Sequence, residues 1–228
     1  MLDSVVSTPS ELGVQASAMR STPLKRALDL LVAVLALVLL APVMLLLALM
    51  VRLDSPGPAL YRQQRIGAGG VPFTMLKFRS MYHTSSDDYH RRQTRNWFLG
   101  TAAPDGYKGQ RDPRVTRVGR FLRRTSLDEL PQLFNVIRGD MSLVGPRPLM
   151  PYERAQYEPW HFERETVRPG VTGLWQVSGR DLLSAREMMA LDVRYVREWS
   201  LWVDLKILAL TAPAVVTHAG RRLASAGM

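Results

Sequence analysis

Between Arg111 and Arg180 the chain crowds arginines around one adjacent pair of acids, Asp128 and Glu129, in the run RDPRVTRVGRFLRRTSLDELPQLFNVIRGDMSLVGPRP. A second glycine-punctuated run, RPGVTGLWQVSGR, begins at Arg168. Guanidinium forks, glycines that allow close backbone approach and helix N-termini are the parts from which phosphate sites are assembled. The expected ligand is therefore anionic. Arg123, Arg147 and Arg180, each near Gly, Pro or another Arg, are the candidates to neutralise charge on phosphoryl oxygens. Two carboxylates in such a setting have two uses: holding a divalent cation such as Mg²⁺ that also binds phosphate oxygens, or attacking phosphorus directly. With no cysteine in the chain, any nucleophile must be oxygen or nitrogen, and thiolate metal sites and disulfides are excluded.

The same acids have a purely structural reading. Ser126 followed three residues later by Glu129 fits a capping box, and acids are favoured in a first helical turn. Pro131 argues for a different start, because proline suits the first helical position and removes a hydrogen bond further in. If the helix begins there, both acids sit just outside its positive end.

These residues need elements to hold them. Leu30 to Val51 reads LLVAVLALVLLAPVMLLLALMV, 22 residues without a charge, about 33 Å as a straight helix and long enough for a bilayer core of about 30 Å. Lys25 and Arg26 flank one end and Arg52, Arg62 and Arg65 the other, so the distribution of positive charge gives no orientation. Pro42, near the middle, frees the carbonyl of Val38 and bends the helix. Two forms fit: a kinked spanning helix, and a re-entrant helix that enters and leaves by one face. Residues 1–23 read as a mobile tail, 24–53 as the membrane helix and 54–228 as one catalytic unit. Glycines at 67, 69 and 70 between β-formers predict a hairpin with strands at about 59–65 and 73–78. Residues 82–114 are expected to hold a short helix and an irregular connection, with Asp87 and Asp88 on a solvated face. EWSLWVDLKILALTAPAVV fits either an interfacial helix with tryptophans at headgroup depth or a core helix. A formal charge of +10 over 228 residues predicts an acidic partner, such as a membrane surface or a phosphorylated small molecule.

KRALDL, the apolar run broken at Pro42, KFRSM, TSLDELPQLFNV, GDMSLVGPRP, RPGVTGLWQVSGR and WSLWVDLKIL occur in that order. Together they resemble the bacterial sugar transferases, the monotopic polyprenyl-phosphate hexose-1-phosphate transferases, over about Lys25 to Leu210. The resemblance implies a mainly helical α+β fold with a Pro-broken re-entrant helix, a small hairpin and interfacial amphipathic helices. It also implies a catalytic face on the cytoplasmic side of the bacterial inner membrane. By motif position it makes Asp128 the nucleophile on the β-phosphate of a UDP-sugar, with UMP expelled and undecaprenyl phosphate attacking the aspartyl intermediate. Glu129 would assist through Mg²⁺ or as a base. Arg123, Arg147, Arg180, and Lys77 and Arg79 of KFRSM, fall at positions for phosphate and substrate contact. One departure stands out: Arg111 precedes Asp112-Pro113 where asparagine is expected. GLWQVSGR looks more like members that use glucose or galactose. With no long bundle of membrane helices ahead of it, the chain resembles the minimal catalytic form. The implied pathway step is the first membrane step of exopolysaccharide, capsule or O-antigen synthesis; nucleic acid is not an expected partner, and a homodimer stays open. A basic membrane-anchored binding protein without catalysis, and an enzyme that transfers sugar alone and leaves UDP, are the competing readings. The nucleotide released separates all three.

Overall fold

The structure is a computed structural model that describes residues 22–82, 88–100 and 112–224. The N-terminal tail, Asp87 and Arg111 lie outside the described residues; Asp88 opens a helix. Eight helices and four short strands are described: α1 (Pro23–Asp54), β1 (Leu60–Ile66), β2 (Pro72–Phe78), α2 (Asp88–Phe98), α3 (Arg117–Thr125), α4 (Gln132–Arg138), β3 (Ser142–Val144), α5 (Pro151–Arg154), β4 (Gly170–Thr172), α6 (Leu174–Val177), α7 (Ala185–Arg197) and α8 (Leu201–Ala224). The chain is therefore mostly helical, as its patterning predicts.

Helix α1 starts where Thr22 accepts a hydrogen bond from the Lys25 amide at 3.2 Å and Pro23 fills the first turn, a position that needs no N–H. Its backbone stays helical through Pro42. Five of its residues are buried, all towards the two ends: Lys25, Asp29 and Ala33, then Leu47 and Val51. Between Val34 and Leu46 none is buried, and Leu35, Val38, Leu39, Leu45 and Leu46 are exposed. In water such a surface is unfavourable, so this stretch calls for an apolar environment.

The anticipated hairpin is present. β1 and β2 pair antiparallel from Leu60↔Phe78 to Ile66↔Pro72, and the turn between them uses positive φ at Gly69 and Gly70, 66° and 75°. A second sheet was not anticipated: β3 and β4 pair in parallel, Ser142 with Gly170 and Val144 with Thr172. It brings the GPRP and RPGVTG loops together. A Cβ on Gly170 would lie 2.1 Å from the Gly145 amide nitrogen. These glycines thus serve contact between two loops, where the sequence reading had them admitting a phosphate.

The main core joins α1, β2, α4, β3, α7 and α8 through Ala33, Met75, Val136, Val144, Tyr195 and Ile207. A second cluster packs Trp97 and Trp175 with Met188 and Met189, and a third packs Leu47 and Val51 with Phe78 and Leu122. Full burial of a side chain such as Leu122 is worth about 1.5–3 kcal/mol. Asn135, fully buried, ties α4 to β2: its Oδ1 accepts from the Leu76 amide at 3.0 Å and its Nδ2 donates to the Thr74 carbonyl at 2.7 Å. This register carries Lys77 to the acid pair.

Candidate active site

Helix α3 ends at Ser126, whose left-handed backbone (φ 58°) turns the chain sharply. Residues Leu127–Glu129 then form a single tight 3-10 turn, and α4 follows Pro131. Both acids sit in that turn, outside α4. The capping-box reading fails here, because Ser126 makes no side-chain cap. Its Oγ instead accepts a hydrogen bond from Arg180 Nη2 at 3.0 Å.

Arg180 also holds a left-handed backbone, φ 52°. Among the described residues, Ser126 and Arg180 are the two non-glycine residues with positive φ, and their side chains touch across 54 positions of sequence. Such conformations cost on the order of 1–3 kcal/mol each and persist where surrounding contacts enforce them, commonly at functional sites. On the other side of the turn, Lys77 Nζ lies 3.1 Å from Glu129 Oε1, both side chains about one-fifth exposed. One lysine and one arginine thus bracket the acid turn.

The other arginines are placed differently. Arg123 occupies the last turn of α3, three residues before Ser126. It helps hold the Asp112 carboxyl below the ordinary carboxylate range, an effect owed first to hydrogen bonds from Arg114 at 2.7 and 2.9 Å. Arg147 lays its guanidinium over the Trp175 ring, 5.2 Å from the centroid, on the helix next to Gln176 and Val177. Its loop is clamped from below: the Arg147 amide donates to Asp192 Oδ2, and its carbonyl accepts from Arg164, whose Nε and Nη2 both donate to that same Asp192 oxygen in a buried pair. Arg79 does not reach the acid turn. Its guanidinium is buried and donates to the carbonyls of Val51, Ser55 and Pro56, closing the C-terminal end of α1. Burial lowers its pKa. It acts as a clamp on the membrane helix, with Nη1 and Nη2 spent on backbone carbonyls and Nε buried without a partner.

A cleft of about 240 Å³ opens beside the turn. Thr125, Ser126, Leu127, Glu129 and Leu130 form one wall, to which Asp128 does not contribute; Val171, Thr172, Gln176 and Val177 form another, with Arg180 at the edge, and Thr211, Ala214 and Val215 of α8 close it. Reasoning from sequence missed Ser126 as a partner of Arg180, the Arg164–Asp192 clamp and the contribution of α8. None has a local signature, since each depends on residues far apart in the chain. For Mg²⁺ the candidate donors are Asp128 and Glu129. No group of three His, Cys, Asp or Glu side chains suited to a metal exists among the described residues. A small carboxylate set of this kind fits Mg²⁺, which keeps waters and is usually completed by substrate phosphates.

An exposed apolar helix tied to a body that carries a charged turn beside a cleft is the architecture of a membrane-associated protein. The family model described as bacterial sugar transferase matches residues 20–218, and the chain belongs to that family. It is 47% identical over 202 residues to the UDP-glucose:undecaprenyl-phosphate glucose-1-phosphate transferase of Caulobacter vibrioides, covering 85% of this chain and 70% of that protein. Identity is 43% over 203 residues to the exopolysaccharide production protein ExoY of Rhizobium meliloti, covering 86% of this chain and 87% of that one. The undecaprenyl-phosphate galactose phosphotransferase of Salmonella typhimurium is 42% identical over 197 residues, covering 86% of this chain and 41% of its own length. Against that protein and five other curated relatives, the chain spans only 35–43% of their length.

Proposed function

We propose that this protein transfers hexose 1-phosphate from a UDP-sugar, UDP-glucose or UDP-galactose, to undecaprenyl phosphate. The names of its relatives indicate both substrates, and the observation that carries the reading is the acid turn bracketed by Lys77 and Arg180 beside an apolar cleft. A carboxylate oxygen of Asp128 attacks the β-phosphorus. The bond from that phosphorus to the bridging oxygen breaks, and UMP leaves with the electron pair. A phosphate oxygen of the lipid then attacks the same phosphorus, forming the lipid-linked diphosphate sugar and restoring the Asp128 carboxylate.

Lys77 holds Glu129 in place, and Arg180 beside the turn, with Arg123 and Arg147 by their motif positions, offsets charge on the phosphoryl oxygens. Mg²⁺ held by Asp128 and Glu129 would neutralise phosphate charge. Arg79 has no part in this scheme.

The membrane arrangement we infer is re-entrant, on the cytoplasmic face of the bacterial inner membrane, at the first membrane step of exopolysaccharide, capsule or O-antigen synthesis. Both ends of α1 are tied to one small part of the body, which supports it. Arg26 donates to the Val136 carbonyl, Asn135 beside it binds Leu76, and Arg79, three residues on, reaches Val51. A bend at Pro42 would shorten the distance between those two ends.

Purified protein incubated with UDP-glucose or UDP-galactose, Mg²⁺ and a polyprenyl phosphate is expected to release UMP, and chelation to stop it. Release of UDP would instead make it a sugar-only transferase, and release of neither nucleotide a binding protein. Asp128→Asn is expected to abolish turnover with an unchanged melting temperature; near-normal rates would remove Asp128 as nucleophile.

A further inference from the structure

Resting on the transfer reaction above, we propose that the cleft beyond Glu129 and Arg180 seats the first isoprenoid units of the lipid acceptor, with α8 as its lipid-side wall. The threonines and the glutamine inside the cleft have partners, while at its charged edge Arg180 Nε is buried without one. Thr172 and Thr211 share a hydrogen bond of 2.9 Å, Thr211 Oγ1 donates on to the Ile207 carbonyl at 2.7 Å, and Gln176 Nε2 donates to the Val171 carbonyl at 3.2 Å. What remains for a ligand is the aliphatic surface of Leu130, Leu133, Val171, Val177, Ala214 and Val215.

A uracil or ribose placed there would leave its own donors and acceptors unmatched, which is costly in an apolar site. A hydrocarbon has none to match. At about 240 Å³ the cleft is also smaller than the ~300–1,000 Å³ of a complete small-molecule site. It therefore suits one segment of a ligand whose remainder lies elsewhere.

Two features fix which end of that ligand enters. Ser126, Glu129 and Arg180 mark the charged edge of the cleft, so an anionic headgroup faces the acid turn. From the opposite wall, α8 continues along the surface with Leu210, Leu205 and Trp202 exposed by 43%, 53% and 74%. An isoprenoid chain leaving the cleft along α8 meets these apolar side chains, with Lys206 the exposed charge among them.

The test uses the full chain in lipid nanodiscs and the variants Ala214→Trp and Val215→Phe, which fill the cleft from the α8 wall and leave Lys77, Asp128, Glu129 and Arg180 in place. Two quantities are measured: the KM for undecaprenyl phosphate in steady state, and the burst of UMP from UDP-sugar with no lipid acceptor added. The acceptor KM is expected to rise roughly tenfold or more, in keeping with what misfit in an apolar pocket does, with the burst and the donor KM retained. The retained burst reports a folded site, and Val215→Phe serves if Ala214→Trp does not fold. An unchanged acceptor KM in both variants overturns the proposal, as does a donor KM raised equally, which would assign the cleft to the nucleotide sugar. If the wild type gives no burst while the variants still raise the acceptor KM selectively, the covalent route fails and the cleft assignment stands.

Discussion

Glu129 does not stand alone among the residues of the turn; its carboxylate is held by Lys77 from β2, 52 positions away. Removing a group that orients a metal-binding or catalytic carboxylate commonly costs 10–100-fold. Lys77→Met is therefore expected to lower turnover by roughly 10–100-fold and to raise the Mg²⁺ concentration needed for half-maximal rate. A rate loss with no change in the metal requirement would separate Lys77 from metal binding. Arg79, from the same KFRSM block, shows how little residue type decides by itself. Both are cations near the end of one strand, yet Lys77 meets an acid and Arg79 is spent on backbone carbonyls.

One pH-sensitive element is the 3-10 segment Pro159–Thr166, which carries His161 and Arg164 and through Arg164 the loop of Arg147. His161 Nδ1 accepts the Glu158 amide at 2.9 Å, so the ring is neutral in the folded state. Burial, aided by Arg164 and Arg186, lowers its pKa below the ordinary value of 6.5 against the opposing pull of Glu158. A base held neutral in this way contributes stability above its unfolded pKa, and that contribution is lost as pH falls towards the lowered folded value. Melting temperature is expected to fall between pH 7.5 and 5.5, by an amount set by one hydrogen bond of about 1 kcal/mol, and His161→Asn should flatten that part of the profile. An identical slope in the variant would assign the acid sensitivity elsewhere. The hairpin element was legible from its glycines and β-formers because its contacts are local. The parallel β3–β4 pair was not, since three-residue strands 26 or more residues apart carry no periodic pattern.

On the scale of the whole molecule, the decisive feature is how α1 joins the rest. Lys25 Nζ, buried, binds Asp204 Oδ2 of α8 at 2.6 Å, Tyr195 donates to the other Asp204 oxygen at 2.7 Å, and Asp29 accepts from the Leu143 amide. At the far end Asp54 accepts from the Val118 amide and Arg79 gathers the last carbonyls. Because the chain lacks cysteine, single cysteines at Leu24 and Pro58 report topology without background. Both are expected to react with a membrane-impermeant thiol reagent from the same side; reaction from opposite sides would make α1 a spanning helix. At the C-terminal helix, Trp199, just ahead of α8, turns inward to Asp204 as the core reading expects, while Trp202 stays exposed. By itself, the sequence determined what rests on composition and local order: an apolar helix long enough for a bilayer, a hairpin, no thiol chemistry, and, through its ordered motifs, the family. Only the tertiary structure decided which cations meet the acid turn, that Ser126 serves Arg180 instead of a helix cap, and that α8 walls the cleft. Those choices are made by side chains 50 or more residues apart, brought together by core packing, and no local propensity or spacing encodes such a meeting.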